Sequence, residues 1–177
     1  MRTRHDSITQ AFHWGVALMV IAIYAIGLGR EALPKGDART MLLGLHMSLG
    51  IALMGVLALR LSWRLFAPSV EPLSMNGGSR LAARLVHLGL YGLLVIVPVL
   101  GLLGAWMKGR TVGFFGLTMP SPFSLDRTAA KWLEEAHEIS ANALIALAAL
   151  HAIAGLAHQF IVKDQVLARM LPGKLGT

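Results

Sequence analysis

Along the chain, polar positions come in short strips and apolar positions in long runs. Four runs carry no Asp, Glu, Lys or Arg: Ala11 to Gly29, Met41 to Leu59, Leu85 to Met107 and Ile139 to Val162, of 19, 19, 23 and 24 residues. A helix rises about 1.5 Å per residue and the hydrocarbon layer of a bilayer is about 30 Å thick, so each run is long enough to cross it. Backbone polar groups in lipid must be satisfied within their own segment, which makes each run a helix. The pattern predicts an all-α integral membrane protein: a four-helix transmembrane bundle forming one domain over residues 1–177, with helices at about 11–29, 41–59, 85–107 and 132–162. The first run leads into Arg30-Glu31-Ala32-Leu33-Pro34 without a small-residue cleavage pattern and carries a histidine, so it reads as a retained helix and not a signal peptide. Ala67 to Gly78, with Pro68, Pro72 and paired glycines, reads as a loop, and Gly109 to Arg127, with Pro120 and Pro122, as a longer one. Pro98 is expected to kink the third helix.

Composition agrees. Hydrophobic residues make up 55% of the chain and charged residues 14%, with a mean hydropathy of +0.64, too apolar for the surface of a water-soluble domain. The net charge of +7, from 16 Lys and Arg against 9 Asp and Glu, is spread over strips between spans, which excludes a nucleic-acid binder with its charge gathered on one face. Without cysteine the chain has no disulfide, thiolate zinc site or iron–sulfur cluster, and any redox centre must use histidine or methionine. With the N-terminus inside, the inner segments hold 9 Lys and Arg and the outer loops 7, a small margin that favours N- and C-termini on the cytoplasmic side. Trp14 and Trp63 then fall near the inner boundary and Trp106 and Trp132 near the outer one, as an aromatic belt.

Seven histidines occur, and six lie in or at the edge of a span: His13, His46, His87, His137, His151 and His158. One intramembrane histidine is as readily a hydrogen-bonder between helices as a ligand, but six at matching depths point to ligation. His13 begins the first helix and lies at its inner end; His46 begins the second, which runs back, and lies at the outer end. On the fourth helix His137 is outer and His151 inner, 14 residues apart, which is about 21 Å of axis and about 40° short of four full turns. They share a face at two depths, so His13 faces His151 and His46 faces His137. Two bis-histidine sites stacked across a bundle suit two b-type haems carrying electrons across a membrane. A zinc or copper path would add carboxylates or sulfur ligands, and no span contains a carboxylate. Met19, Met47, Met54 and Met107 read as lipid-facing or gap-filling. Gly44, Ser48 and Ala52 near His46, and Ala148, Ala152 and Gly155 around His151, either let helices pack closely or leave room for a flat cofactor.

At these positions the chain resembles the bacterial cytochrome b561 family, four-helix di-haem membrane proteins. The resemblance covers Phe12-His13-Trp14, His46, His87 before Tyr91 and Pro98, the run Phe115-Gly116-Leu117-Thr118-Met119-Pro120, Lys131-Trp132, His137, His151 and Ala157-His158. It implies two haems b, with iron held by His13 and His151 and by His46 and His137, the pairing that depth gave. It further implies a quinone site near the inner haem. His158, seven residues beyond His151, is placed to hydrogen-bond a quinone or relay a proton to it, or is a plain interfacial histidine. His87 stands at the same level, and Arg80, Arg84 and Ser79 just before it are either boundary anchors or contacts to quinone or haem propionates. His5 reads as a solvated tail residue.

The short stand-alone branch of this family includes superoxide:ubiquinone oxidoreductases. The expected activity is electron transfer from periplasmic superoxide to membrane ubiquinone, giving dioxygen and ubiquinol, in contact with the lipid bilayer and no nucleic acid. The alternative is a cytochrome b subunit linking the quinone pool to a periplasmic redox protein partner. The outer loops carry Arg30, Lys35, Arg39, Lys108, Arg110, Arg127 and Lys131 but also six acids, so an attractive path for an anion requires the charges to segregate in space.

Overall fold

The computed structural model describes residues 3–71, 77–164 and 166–171, so Pro72 and the last six residues lie outside it. Four long helices dominate: α1 (Ser7–Ala32), α2 (Asp37–Phe66), α3 (Gly77–Met107) and α4 (Arg127–Ala157), the last continued by a π-helical turn, His158–Val162. All four are long and apolar enough to cross a membrane. The protein is an integral membrane helical bundle. Each helix outruns its uncharged stretch because polar turns continue into the headgroup layers, where water satisfies charge but the helical bonds persist. α4 begins five residues before the expected Trp132, since Asp126 caps it by accepting from the backbone N–H of Thr128 and Ala129 at 3.0 and 2.9 Å. Asp6 caps α1 in the same way through Thr9, at 2.9 Å from the backbone and 2.6 Å from the hydroxyl. α3 runs through Pro98 without interruption.

Large apolar side chains such as Leu18, Ile21, Leu88 and Ile153 are exposed on the outside of the bundle, facing where lipid would be. The main buried cluster lies along the axis, with Val112 and Ala130 buried apart from it. Val16, Val20, Leu53, Leu57, Leu94 and Leu144 form the core cluster. Each sits between the two histidine levels of the bundle along its own helix, so the core is an apolar plug separating two polar layers. Tyr24 bonds Asn142 at 2.7 Å, tying α1 to α4.

The loop from Gly109 to Arg127 holds more structure than its prolines suggested. α3 ends on Gly109 at φ +68°, with the N–H of Gly109 bonded to the Trp106 carbonyl (2.8 Å) and that of Arg110 to Ala105 (3.1 Å). A hairpin follows, β1 (Val112–Phe114) and β2 (Leu117–Met119), closed by Phe115 and Gly116, both at positive φ. Ser48, buried in α2, holds it down: its hydroxyl donates to the Gly113 carbonyl (3.1 Å) and accepts from the Phe115 N–H (3.3 Å). Ser48 thus anchors the loop. This defines a hairpin end of the bundle, opposite the end where the described chain begins and finishes, here called the termini end.

At the termini end His5 departs from the expected solvated tail. It is half-buried, its backbone N–H donates to Arg169 (3.1 Å), and its carbonyl accepts from Gln10 (2.8 Å). Burial, only partly offset by Asp6, holds its imidazole below the usual histidine pKa. The indole of Trp14 bonds the Met170 carbonyl at 2.8 Å, so the segment after α4 folds back across the start of α1.

Candidate functional site

Helix direction places the histidines. α1 and α4 present His13 and His151 at the termini end, ring centroids 6.2 Å apart and planes at 67°. α2 and α4 present His46 and His137 at the hairpin end, again 6.2 Å apart, with planes at 81°. An imidazole nitrogen bonds a first-row metal at about 2.0–2.1 Å and lies about 1.1 Å in front of the ring centre, so two rings flanking one metal ion stand about 6.3 Å apart. Both pairs have that spacing. Among the described residues no group of three or more His, Asp or Glu converges on one point. A haem iron, which asks the protein for two axial ligands only, suits such pairs better than a bare ion that needs four or more.

The hairpin-end pair is the more tightly built. His46 Nδ1 donates to the Ile23 carbonyl of α1 at 3.0 Å, and His137 Nδ1 donates to the Val97 carbonyl of α3 at 2.8 Å. A carbonyl only accepts, so each Nδ1 carries the proton and each Nε2 keeps its lone pair for a metal. Both rings lie against glycine. A Cβ on Gly27 would stand 3.3 Å from His46 Cε1, and one on Gly101 2.9 Å from His137 Cε1. Both rings line a cavity of about 770 Å³ with apolar walls from Ile23, Met47, Leu53, Leu94 and Val97. That volume is in the range of cofactor pockets, so the residues present fit a haem at this level.

A second cavity of about 560 Å³ adjoins it at the hairpin end, sharing Arg30, Glu31, Leu43, Lys108, Arg110 and Glu134. Its lining holds Arg30, Lys35, Arg39, Lys108 and Arg110 against Glu31 and Glu134, five positive and two negative side chains, a net of +3. Arg30 pairs with Glu31 at 2.9 Å and Lys108 with Glu134. The excess of positive charge is confined to this smaller cavity: the larger one, with Arg30, Lys108, Arg110 and Lys131 against Glu31, Glu134, Glu135 and Glu138, is neutral overall. Arg127 is outside both cavities, and Lys131 lines only the larger.

At the termini end His87 packs on His151, centroids 5.2 Å apart at 68°. That spacing is too short for two rings facing each other across one haem iron, so His87 is a neighbour of the pair and not a member. His158 stands apart, its Nδ1 2.6 Å from Asp164 Oδ2 with both side chains about a quarter exposed. Asp164 lies two residues beyond the last uncharged run, where no pattern within the spans points to it. Ser79, Arg80 and Arg84 occupy the first turns of α3, where Ser79 and Arg80 make interactions of their own. Arg60 and Arg64 of α2 also stand at this level. Arg60 donates to the carbonyl of Phe12, next to His13, at 3.4 Å and lies 5.6 Å over the Tyr91 ring. Arg64 donates to the Tyr91 hydroxyl at 3.0 Å. Sequence spacing carried this signal: Arg60 follows His46 by 14 residues, the interval that puts His137 and His151 on one face.

Comparison with known proteins adds the family. The profile of prokaryotic cytochrome b561 matches residues 4–173. The chain is 35% identical to cytochrome b561 homolog 2 of Escherichia coli (strain K12) over 171 residues, 95% of this chain and 91% of that protein. It is 34% identical to cytochrome b561 homolog 1 of the same organism over 171 residues, 94% and 96% of the two chains. With the probable superoxide oxidase CybB of Yersinia pestis it shares 29% identity over 179 residues, 99% of this chain and all of the relative.

Proposed function

The chain belongs to the prokaryotic cytochrome b561 family, membrane proteins of haem b electron transfer, and on that premise we propose that it is a di-haem superoxide:ubiquinone oxidoreductase of a bacterial inner membrane. Two superoxide anions are oxidised to two dioxygen molecules at the hairpin end, and one ubiquinone with two protons becomes ubiquinol near the termini end, which faces the cytoplasm. Bound haem b supplies one-electron carriers at two depths of the membrane. His46 and His137 would hold one and His13 and His151 the other, and Arg60 and Arg64, at the level of the second pair, would offset the negative charge of propionates.

The observation that carries the choice of substrate is the cavity of net charge +3 adjoining the His46–His137 level. A small anion is drawn to a recessed positive site, where the local field is focused and its concentration raised. The apolar plug of Val20, Leu53, Leu94 and Leu144 keeps water from joining the two levels. His158, whose Nδ1 donates to Asp164, presents Nε2 as the atom that accepts a proton or hydrogen bond and passes it on to a quinone oxygen. His87, exposed beside His151, is the second candidate contact for the quinone head. The name of the Yersinia relative supports the same substrate.

Stopped-flow mixing of the oxidised, purified protein with superoxide, with and without a quinone analogue, tests this by the haem absorption bands. Fast haem reduction that drains into quinone is expected. Haems that ignore superoxide yet are reduced by quinol would instead establish an electron-transfer subunit that serves a periplasmic protein partner.

A further inference from the structure

The two histidines at the hairpin end are seated by one construction used twice. On α1, Ile23 offers its carbonyl and Gly27 stands four residues on; on α3, Val97 offers its carbonyl and Gly101 stands four residues on. In a helix the carbonyl of residue i already accepts from the N–H of residue i+4, here the glycine itself, and its second lone pair is open to the side. The imidazole of a neighbouring helix takes that lone pair through Nδ1 and lays its ring over the bare Cα of the glycine. The fit leaves no room for a methyl group. A Cβ at Gly101 would lie 2.9 Å from Cε1 and 3.0 Å from Nδ1 of His137, and one at Gly27 3.3 and 3.4 Å from the same atoms of His46. Gly29, two residues along α1, has nothing within 4 Å of such a Cβ. His13 and His151 have no such carbonyl seat among the described residues; their rings meet each other and the edges of Trp14 and His87.

We propose that Gly27 and Gly101 are positioning residues: each opens a notch in which the backbone carbonyl one turn earlier fixes a haem-ligating imidazole as its Nδ1–H tautomer and aims Nε2 at its partner across the bundle. This rests on reading His46 and His137 as the axial ligands of one haem. A strong Nδ1–H bond makes the imidazole a more basic ligand, which favours the ferric state. Loosening the seat therefore raises the midpoint potential of that haem and leaves the other where it was.

The test uses the full-length purified protein. Gly27→Ala, Gly101→Ala and the control Gly29→Ala are compared in haem content, low-temperature electron paramagnetic resonance and redox titration. The expected result is that Gly101→Ala, and more mildly Gly27→Ala, shift the low-spin signal and raise the midpoint of one haem, the same haem that His137→Ala removes, while Gly29→Ala matches the wild type. Wild-type signals and midpoints in both notch variants, or equal shifts in both haems, overturn the proposal. A wild-type measurement stands beside the variants: hyperfine-shifted ring N–H protons of the hairpin-end ligands should exchange into deuterium oxide more slowly than those of the other pair, and equal rates overturn it as well. Should His46→Ala and His137→Ala both keep two haems, the ligand reading itself fails; if those lose a haem and the glycine variants are silent, only the notch does.

Discussion

The positive cavity at the hairpin end makes a quantitative demand. Lys35 and Arg110 line it, and among the described residues neither forms an ion pair, so Lys35→Gln with Arg110→Gln lowers the net lining charge from +3 to +1 without cutting a salt bridge. At about 8 Å, one Debye length in physiological salt, each unit charge attracts an anion by about 0.5 kcal/mol in bulk water, cut to about 0.2 kcal/mol by screening. Two charges are then worth about 0.4 kcal/mol, and about 0.8 kcal/mol if the recessed site halves the effective dielectric constant. The second-order rate of haem reduction by superoxide should fall by between about twofold and about fourfold at 0.15 M salt. Lys35→Glu with Arg110→Glu doubles the charge change, so its factor should be the square of the first. Stopped-flow traces over a salt series read both. The gap between variants and wild type should close near 1 M salt, where the Debye length is about 3 Å. An unchanged rate at 0.15 M, or a deficit that survives 1 M salt, would refute steering: the first because the charges do nothing, the second because the loss is then one of shape.

Four single-ligand variants sort the haems: His46→Ala and His137→Ala should lose the same haem and His13→Ala and His151→Ala the other, as seen in reduced-minus-oxidised spectra and haem-to-protein ratio, and a crossed pattern would break the pairing. Ser48→Ala removes both bonds that pin the hairpin, a loss of about 1–2 kcal/mol, and should speed amide exchange at Gly113 and Phe115 while leaving the helices unchanged. Acid should loosen the termini end in two stages. His5 is held below its usual pKa by burial, so the unfolded segment binds the proton first, and its contribution, complete at neutral pH, is lost as pH falls below about 6.5. Asp6 is raised by burial but lowered further by its bonds from Thr9; its contribution persists above the usual carboxylate pKa and goes only as pH drops through the lower folded value. Trp14 fluorescence against pH reads both stages; His5→Gln should delete the upper one and Asp6→Asn the lower, and a single stage common to all three proteins would contradict this account.

Much of the architecture was legible because a membrane reduces the folding problem to one dimension. Whether Ile139 to Val162 spans a bilayer depends on its length and lack of charge, and which histidines share a level depends on counting residues from alternate ends of successive helices. Nothing in that count requires knowing which helix touches which. It reached the four half-buried histidines and their pairing in space, and the same 14-residue interval applied to α2 would have reached Arg60. It failed where an element is built from polar strips. The caps Asp6 and Asp126, the two-residue turn at Phe115 and Gly116, and the fold-back that buries His5 beneath Arg169 are each fixed by a few hydrogen bonds, which leave no periodicity behind.

The glycine notches were illegible for a different reason. A residue four positions before a glycine is an ordinary sight in an apolar helix, and Ile23 with Gly27 is not distinguished in sequence from the open positions Gly15 or Gly29 on the same helix. What makes it a seat is the register of the helix beside it, which brings His46 to the height of the Ile23 carbonyl and turns its Nδ1 inward. The same register on α3 and α4 brings His137 to Val97. Because the two notches lie on different helices and receive imidazoles from different neighbours, they constrain the pair from both sides. A rigid-body slip of either helix pair would cost a charge-free but fully directional bond in lipid, where no water replaces it. The small residues that the sequence singles out near His46 and His151 lie on the histidines' own helices, whereas Gly27 and Gly101 lie on the helices across from His46 and His137.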